Sequence, residues 1–447
     1  MASALTCPGP GVTRRVWAPW GPLLAFVLAA LLSGRLHGAD FISGADFSHL
    51  AFFEAHGITY KDGGQPLDGL QVLQRHGLTC VRLRLFTSSA AQAQADPYNY
   101  VNSLDYTVPL AVRVKQAGLQ FLLDFHYSDT WADPGKQAKP AAWTNLTFAA
   151  LKQELRLYNS NCLAAFKAAG AMPDYVQVGN EITSGLLWPE GRVGGVYDTA
   201  TQWSQLAQLL TNAIAGIQDA AGGQMPQVMV HIDRGGDWGG TQWFFDHLQQ
   251  QRVPFDLIGL SYYPWWHGSL DALGTCLTNT AQRYGKPVLL AETGFPWANS
   301  TNLYGIPATP NGQVEYVVAL AKVMKRLPGG RGAGMLWWGA EYQSLPGVSL
   351  AGFDKRSFFD AEGNVLPVAE AFGQLGALLK LDIRLQGTNV LLQWPLSGAG
   401  SSLLTASEPT AAAWSPVTNT IATTGTVFGI TAPSSVEPRR FFRLQAK

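Results

Sequence analysis

The sequence predicts an α/β chain, a (β/α)8 TIM barrel followed by a small all-β, sandwich-like C-terminal module. Three observations point there. Between Phe41 and Leu378, eight short apolar runs of strand character alternate with longer stretches of helical period. The turn after the first run, Gly44-Ala45-Asp46, lacks the glycine-rich phosphate loop that an open, doubly wound sheet carries there. Beyond Leu379 the helical period stops, and alternating strands separated by Ser, Thr, Gly and Pro take over.

Residues 1–39 differ from the rest. Arg14 and Arg15 precede the apolar stretch Leu23–Leu32, and Gly38 and Ala39 follow it, the order of parts in a secretory signal. Spanning a bilayer takes about 20 apolar residues, so this stretch predicts a signal peptide, a secreted protein and no membrane attachment once the signal is gone. The barrel is expected over 40–379. Its strands are Phe41–Ala45, Cys80–Phe86, Gln120–Phe125, Tyr175–Val178, Gln227–His231, Leu257–Leu260, Pro287–Leu290 and Gly334–Trp338. Helical period marks Tyr106–Gln116, Phe148–Ala168, Ala200–Ala220, Leu270–Arg283, Val314–Arg326 and Val368–Leu379. The module, 380–447, has strands at Leu381–Leu385, Val390–Trp394, Thr426–Ile430 and Phe441–Leu444. It resembles the short sandwich modules ending in a Phe-Phe-Arg-Leu strand that are appended to secreted bacterial proteins.

Composition removes several classes of function. The 447 residues are 47% hydrophobic and 14% charged, with 31 basic against 31 acidic side chains, so no basic field exists to hold nucleic acid. A monomer is expected. Cys80, Cys162 and Cys276 are an odd, scattered set that fits neither a disulfide framework nor zinc spacing, and they read as buried thiols. The 15 Trp are a heavy load, open to use as core or as sugar platforms.

In a barrel of this kind chemistry sits at the carboxyl ends of the strands. There the sequence places Asn180-Glu181 after the fourth run, Glu292 after the seventh, His126 after the third, His231 and Asp233 at the end of the fifth, and Tyr263 after the sixth. Arg82 and Arg84 alternate with apolar residues in the second run, so both point to one face, inward and towards the mouth. Taken singly, either Glu reads as a strand-end cap. Together, at the ends of strands four and seven, they can converge on one ligand. Carboxyl groups about 5–5.5 Å apart suit a retaining glycosidase. A carboxylate bonded to Arg82 and a tyrosine stays ionised, which assigns Glu292 as nucleophile; its partner, beside that charge, stays protonated, which assigns Glu181 as acid/base. The Asn180 amide can donate to the sugar 2-OH. His126 and His231 are isolated and form no His-x-His pair, so no metal is expected. Trp131, Trp143, Trp188, Trp238, Trp265, Trp266, Trp297, Trp337 and Trp338 fall in or beside the mouth loops, where indole faces can pack on pyranose rings.

The motifs Asp124-Phe125-His126-Tyr127-Ser128-Asp129-Thr130-Trp131-Ala132-Asp133-Pro134, Gly179-Asn180-Glu181-Ile182, Gly185-Leu186-Leu187-Trp188-Pro189 and Asp237-Trp238-Gly239 stand in a familiar order, with Tyr60-Lys61-Asp62 before them and Ala308-Thr309-Pro310-Asn311-Gly312-Gln313 after. On these residues the chain resembles glycoside hydrolase family 53, the endo-β-1,4-galactanases, from Asp40 to Leu378. The resemblance implies a retaining hydrolase that cuts internal β-1,4-galactosidic bonds of galactan, or type I arabinogalactan, in pectin side chains, without a cofactor. It matches Glu181 to the acid/base and Glu292 to the nucleophile. It likens Arg82 to the arginine beside the nucleophile, Tyr263 to the strand-six tyrosine, Trp338 to the strand-eight tryptophan, and Asp46, His126 and His231 to the surrounding polar residues; Arg84, Trp131, Asn180 and Asp233 complete the expected substrate-binding set. Two departures stand out. Trp337-Trp338-Gly339-Ala340-Glu341 replaces the usual Tyr-Trp-Glu-Pro-Ala, and Phe295–Pro310 offers no match to the calcium ligands of some bacterial members, so calcium is not expected. Two other readings stay open at this stage: a related barrel hydrolase acting on mannan or another β-1,4-linked chain, and a barrel that binds saccharide without cutting it.

Overall fold

A computed structural model of the chain describes residues 41–377, 379–433 and 440–445. The expected signal peptide lies outside them. Eight parallel strands close a barrel: β1 (Ile42–Asp46), β2 (Cys80–Leu85), β3 (Gln120–Phe125), β4 (Tyr175–Val178), β5 (Gln227–Ile232), β6 (Leu257–Tyr262), β7 (Val288–Thr293) and β8 (Gly332–Trp337). Each pairs with its neighbours in sequence, and β8 returns to β1 through Ile42 opposite Gly334. The main helices are α1 (Gly69–Arg75), α2 (Leu104–Gln116), α3 (Phe148–Ala168), α4 (Ala200–Ala221), α5 (Trp238–Gln250), α6 (Leu270–Tyr284), α7 (Pro310–Met324) and α8 (Pro367–Gly373).

Local chemistry sets many of these starts. Asp68, Thr147, Thr199, Asp237, Ser269 and Thr309 each accept a backbone N–H of the first turn of α1, α3, α4, α5, α6 and α7, a contact worth about 1 kcal/mol per helix. The sequence reading passed over α1 and α5. Gly239 and Gly240 open α5 and hide its period, since glycine is the weakest helix former after proline. The last expected helix is shorter than foreseen: it stops at Gly373 and continues as a single 3₁₀ turn, Gln374–Gly376.

The pleat sends alternate residues into the barrel. Low in its interior, Ile42, Cys80, Leu122, Met229, Leu257, Leu289 and Leu336 form a separate apolar cluster. Two positions further along the strands the same face carries Arg82, Asp124 and His231, all with no exposed surface. The outward face packs on the helices in the main core. Cys80, Cys162 and Cys276 are free and buried, as the sequence suggested. Of the tryptophans expected at the mouth, Trp143 and Trp337 are core residues, 5% and 0% exposed.

The C-terminal strands are β9 (Asp382–Gln386), β10 (Asn389–Pro395), β11 (Ser402–Ala406), β12 (Ser415–Pro416), β13 (Ala422–Thr424), β14 (Val427–Pro433) and β15 (Phe441–Gln445). They make two antiparallel sheets, β9-β10-β14-β13 and β12-β11-β15. Trp394, Leu396 and Phe428 of this lobe join the same buried cluster as the barrel. No helix among the described residues is long and apolar enough to cross a membrane.

Candidate active site

Arg82 is the hub. One guanidinium nitrogen donates to Glu292 Oε1 at 2.8 Å and Asp46 Oδ2 at 3.2 Å; the other donates to Asp124 Oδ2 at 2.7 Å and Asn180 Oδ1 at 2.8 Å. A buried cation is costly unless its charge is matched; three carboxylates match the charge here and, with the Asn180 oxygen, take the four terminal N–H donors, while Nε has no partner. Burial works to raise Asp124, but Arg82 and then His126 outweigh it and hold that carboxyl below its ordinary value.

Glu181 leaves β4 through a tight backbone turn. Gly179 has φ +95, and a Cβ there would come within 2.6 Å of Ile182 Cγ2. Glu181 itself is left-handed at φ +45, a conformation that costs a non-glycine residue about 1 kcal/mol or more and clusters at functional sites. The turn brings its carboxyl towards β7. One oxygen of Glu181, one of Glu292 and a ring nitrogen of His231 lie within 4.8 Å of one another.

The two carboxyls sit in different surroundings. Glu292 is 6% exposed; it accepts from Arg82 and, at 3.1 Å, from the Tyr263 hydroxyl. Burial raises its pKa and Arg82 pulls it back. Glu181 is half-buried. Burial first, then the charge of Glu292, hold it well above the usual carboxylate range, against a lowering hydrogen bond from Ser261. Both carboxyls are raised, so the contrast anticipated from sequence is one of degree, with Glu181 the more strongly protonated.

A relay of hydrogen bonds fixes the proton positions. Ser261 Oγ donates to Glu181 Oε1 at 2.6 Å, so it accepts from His231 Nε2 at 2.9 Å. His231 is then the Nε2–H tautomer, and its Nδ1 accepts from Gln177 Nε2 at 3.0 Å and the Glu181 backbone N–H at 3.4 Å. Burial lowers the pKa of His231 well below normal, which keeps it neutral as this relay requires. In the sequence Ser261 stands with Tyr262 and Tyr263 among the polar residues after the sixth run, with no role assigned to it. Its signal was its position at the end of the sixth strand, and a shift of register after Leu260 sets it opposite Glu292.

The other expected residues divide in two. Asn180 donates to the Ala132 carbonyl at 2.9 Å, which leaves its second amide N–H for a ligand. Trp131 and Trp338 stand partly open, 6.2 Å apart by ring centroid. Tyr263 is 3% exposed against Glu292. Asp46, Arg84, His126 and His231, expected to touch substrate, lie beneath the surface as support. Arg84 donates to Asp46 Oδ1 at 3.0 Å and His49 Nδ1 at 2.6 Å, and its guanidinium carbon lies 4.5 Å from the ring centre of Trp131 and 5.5 Å from that of Trp338. It braces the two indoles from below. His126 Nδ1 accepts the Ala132 N–H at 2.9 Å, and its Nε2 is 3.1 Å from Asp124. Asp233 accepts from the Thr183 hydroxyl and lines a cavity beside Glu181.

Glu341 was not foreseen as a site residue. It has no exposed surface, one carboxyl oxygen accepts the His49 N–H at 2.7 Å, and the other has no partner. Burial, then Asp46, push its pKa up to about 8. Its signal was the altered strand-eight motif itself.

Glu181, His231 and Glu292 could offer three atoms to a cation. Both Glu292 oxygens and both His231 nitrogens are already committed, and Arg82 supplies the positive charge, so the donor set favours a neutral hydroxylated ligand.

The model of glycosyl hydrolase family 53 matches residues 42–372. An uncharacterized protein from the bgaB 5′ region of Niallia circulans is 43% identical over 313 residues, covering 67% of this chain and 83% of that protein. An arabinogalactan endo-beta-1,4-galactanase of Thermothelomyces thermophilus is 35% identical over 317 residues, covering 66% of this chain and 88% of its own length. Among solved structures, the GH53 catalytic domain of Ignisphaera aggregans superposes with a TM-score of 0.67 at 31% identity, over 75% of this chain and 96% of that domain.

Proposed function

The chain belongs to glycosyl hydrolase family 53, and from that membership and the site geometry we propose that it is a retaining endo-β-1,4-galactanase acting on galactan or type I arabinogalactan of pectin. One observation carries the proposal: the carboxyl oxygens of Glu181 and Glu292 approach within 4.8 Å. That is close to the separation of about 5–5.5 Å typical of retaining pairs, and well inside the 6.5–9.5 Å or so that inverting pairs need to admit a water.

Glu181, held protonated, gives its proton to the glycosidic oxygen while Glu292 attacks the anomeric carbon, forming a glycosyl ester. Glu181, now ionised, takes a proton from water, and the water oxygen displaces Glu292. Arg82 pulls the Glu292 carboxyl back toward the ionised form against its burial, and Arg82 and Tyr263 together aim it. The free Asn180 N–H meets the 2-OH, a bond that strengthens as charge grows on the ring. Side chains and water complete the reaction, with no cofactor. Residues 1–39 act in this proposal as an export signal for a secreted, monomeric enzyme, with 40–379 as catalytic barrel and 380–447 as an accessory module.

Digestion of debranched galactan and of mannan, with product sizing and NMR of the first-formed anomer, tests the proposal. Short galacto-oligosaccharides from galactan alone, β-configured before mutarotation, are expected. Preference for mannan, or an α-anomer first, overturns it.

A further inference from the structure

The C-terminal lobe ends its larger sheet, β9-β10-β14-β13, on the strand β9. With the residue before it, this strand reads Leu381-Asp382-Ile383-Arg384-Leu385. Apolar and charged residues alternate, and the two charges, placed evenly about Ile383, are opposite in sign. Such a strand is complementary to a second copy of itself run antiparallel. Turned about Ile383, each Leu381 meets a Leu385, each Asp382 an Arg384, and Ile383 meets Ile383. The side chains are open to this. Ile383 is 49% and Leu385 74% exposed, although Ile383 lies opposite Leu392 of β10, which is fully buried. Opposite residues of a ladder share a face, so the apolar inner face of the lobe runs uncovered to its edge. On the other face Arg384 donates from Nε and Nη2 to Asp382 Oδ2 at 2.8 and 2.6 Å. That solvent-exposed ion pair leaves Arg384 Nη1 and Asp382 Oδ1 for a second charge partner.

The backbone fits the same register. The turn Gly387-Thr388 has two residues, which makes Gln386 and Asn389 the pair that closes the hairpin by hydrogen bonds. Bonding alternates along an antiparallel ladder. Arg384 and Asp382 therefore turn their backbone groups to β10, while Ile383 and Leu385 turn theirs outward, where no strand lies among the described residues. Pairing about Ile383 uses those outward groups: Ile383 bonds to Ile383, and Leu385 to Leu381 of the second copy. Pairing about Arg384 would use them too, but it sets Arg384 against Arg384, and like charges directly opposite are unfavourable. Charge selects the register about Ile383.

We propose that β9 is a self-association strand, through which two copies of this chain join in a twofold, antiparallel contact between their C-terminal lobes. The groups of the carboxyl site all come from one barrel, so each chain remains the complete enzyme proposed above, and the inference does not rest on its substrate. Five residues a side fall well short of the 20–30 or so that a standard interface holds. The contact is therefore reversible: dilute chains are monomers, and concentrated ones pair.

Sedimentation equilibrium of the chain as secreted, from micromolar to near-millimolar concentration, reads the contact. The mass should climb from one chain towards two and no further, because a twofold contact closes on itself. Asp382→Arg and Arg384→Asp each set like charges opposite one another and should weaken association at least about tenfold, equal to 1.4 kcal/mol. An equal mixture of the two variants should associate again, since each offers the charge the other lacks, a result that misfolding cannot produce. Oxidation reads the register. Ile383→Cys should cross-link to itself, because its counterpart Cα lies about 5.5 Å away in such a pair, inside the range a disulfide spans. Leu385→Cys should not, although Leu385 is the more exposed. The native Cys80, Cys162 and Cys276 are buried and do not compete. A mass that stays at one chain over the whole range, assembly beyond two, charge reversals without effect, or equal cross-linking at both positions overturns the proposal. Galactan hydrolysis is assayed in parallel: its absence indicts the functional reading, and the sedimentation result alone decides this one.

Discussion

Replacing Ser261 by Ala removes one hydroxyl and disturbs two neighbours in opposite senses. Glu181 loses the 2.6 Å hydrogen bond that lowers its pKa, and His231 loses the acceptor of its Nε2–H. A hydrogen bond to a charged group contributes about 1.5–3 kcal/mol, and one pKa unit is 1.36 kcal/mol, so the carboxyl should rise by about 1–2 units. Because Glu181 is half-buried, water replaces part of the lost donor and the lower figure applies. The proposed first step needs Glu181 protonated, so the alkaline limb of the kcat/KM profile should move up by about one unit. The second step needs its conjugate base with a donor nearby, so kcat should fall. The orphaned imidazole N–H should also cost about 1–3 kcal/mol of stability, read from denaturant unfolding. Measuring kcat/KM from acid to alkaline pH in both proteins decides the matter. An alkaline limb that stays in place, or moves down, refutes the chain His231 to Ser261 to Glu181 as the device that tunes the acid.

Glu292→Gln should lower turnover at least about a thousandfold while near-ultraviolet circular dichroism stays native, because the nucleophile goes but size and polarity remain; rates near wild type remove Glu292 from its role. Glu181→Gln should still form the glycosyl ester from substrates with good leaving groups, and azide should restore its breakdown as glycosyl azide; no rescue counts against the acid/base assignment. Arg82→Ala strands three buried carboxylates and should cost about 3–5 kcal/mol in urea unfolding; a smaller loss than 1 kcal/mol would contradict the hub. Glu341, raised from 4.5 to about 8, adds stability that is complete below pH 4.5 or so and disappears as pH rises through about 8, by up to roughly 5 kcal/mol at 1.36 kcal/mol per unit. Glu341→Gln should flatten that alkaline decline in thermal midpoint, and an unchanged decline would place its cause elsewhere.

Much of the site was legible because strand ends in a closed barrel must meet. Glu181 and Glu292 are distant in sequence, yet each follows an apolar run, and the eightfold alternation alone brings both to one mouth. The pairing of Arg82 and Tyr263 with Glu292 was legible for the same reason. Depth was not. Sequence places Arg84, His126, His231 and Asp46 at the mouth, but only the packing of Trp131 and Trp338 over Arg84, and of Ala132 over His126, decides that these side chains lie beneath it. Ser261 was hidden because its place opposite Glu292 depends on a shift of register between two strands, which no period in one strand records. Glu341 was hidden because its burial depends on His49, in the turn after the first strand, meeting the loop after the eighth.

What the sequence determines by itself is the alternation of apolar and polar residues, the helix caps and the residue types at each strand end, since these follow from local periodicity and backbone hydrogen bonding. What only the tertiary structure decides is which of those polar groups face a ligand, which support them from below, and how far each proton is held from its ordinary pKa. Burial and charge–charge coupling sum over residues brought together from the whole chain, so their effect exists only once the barrel has closed.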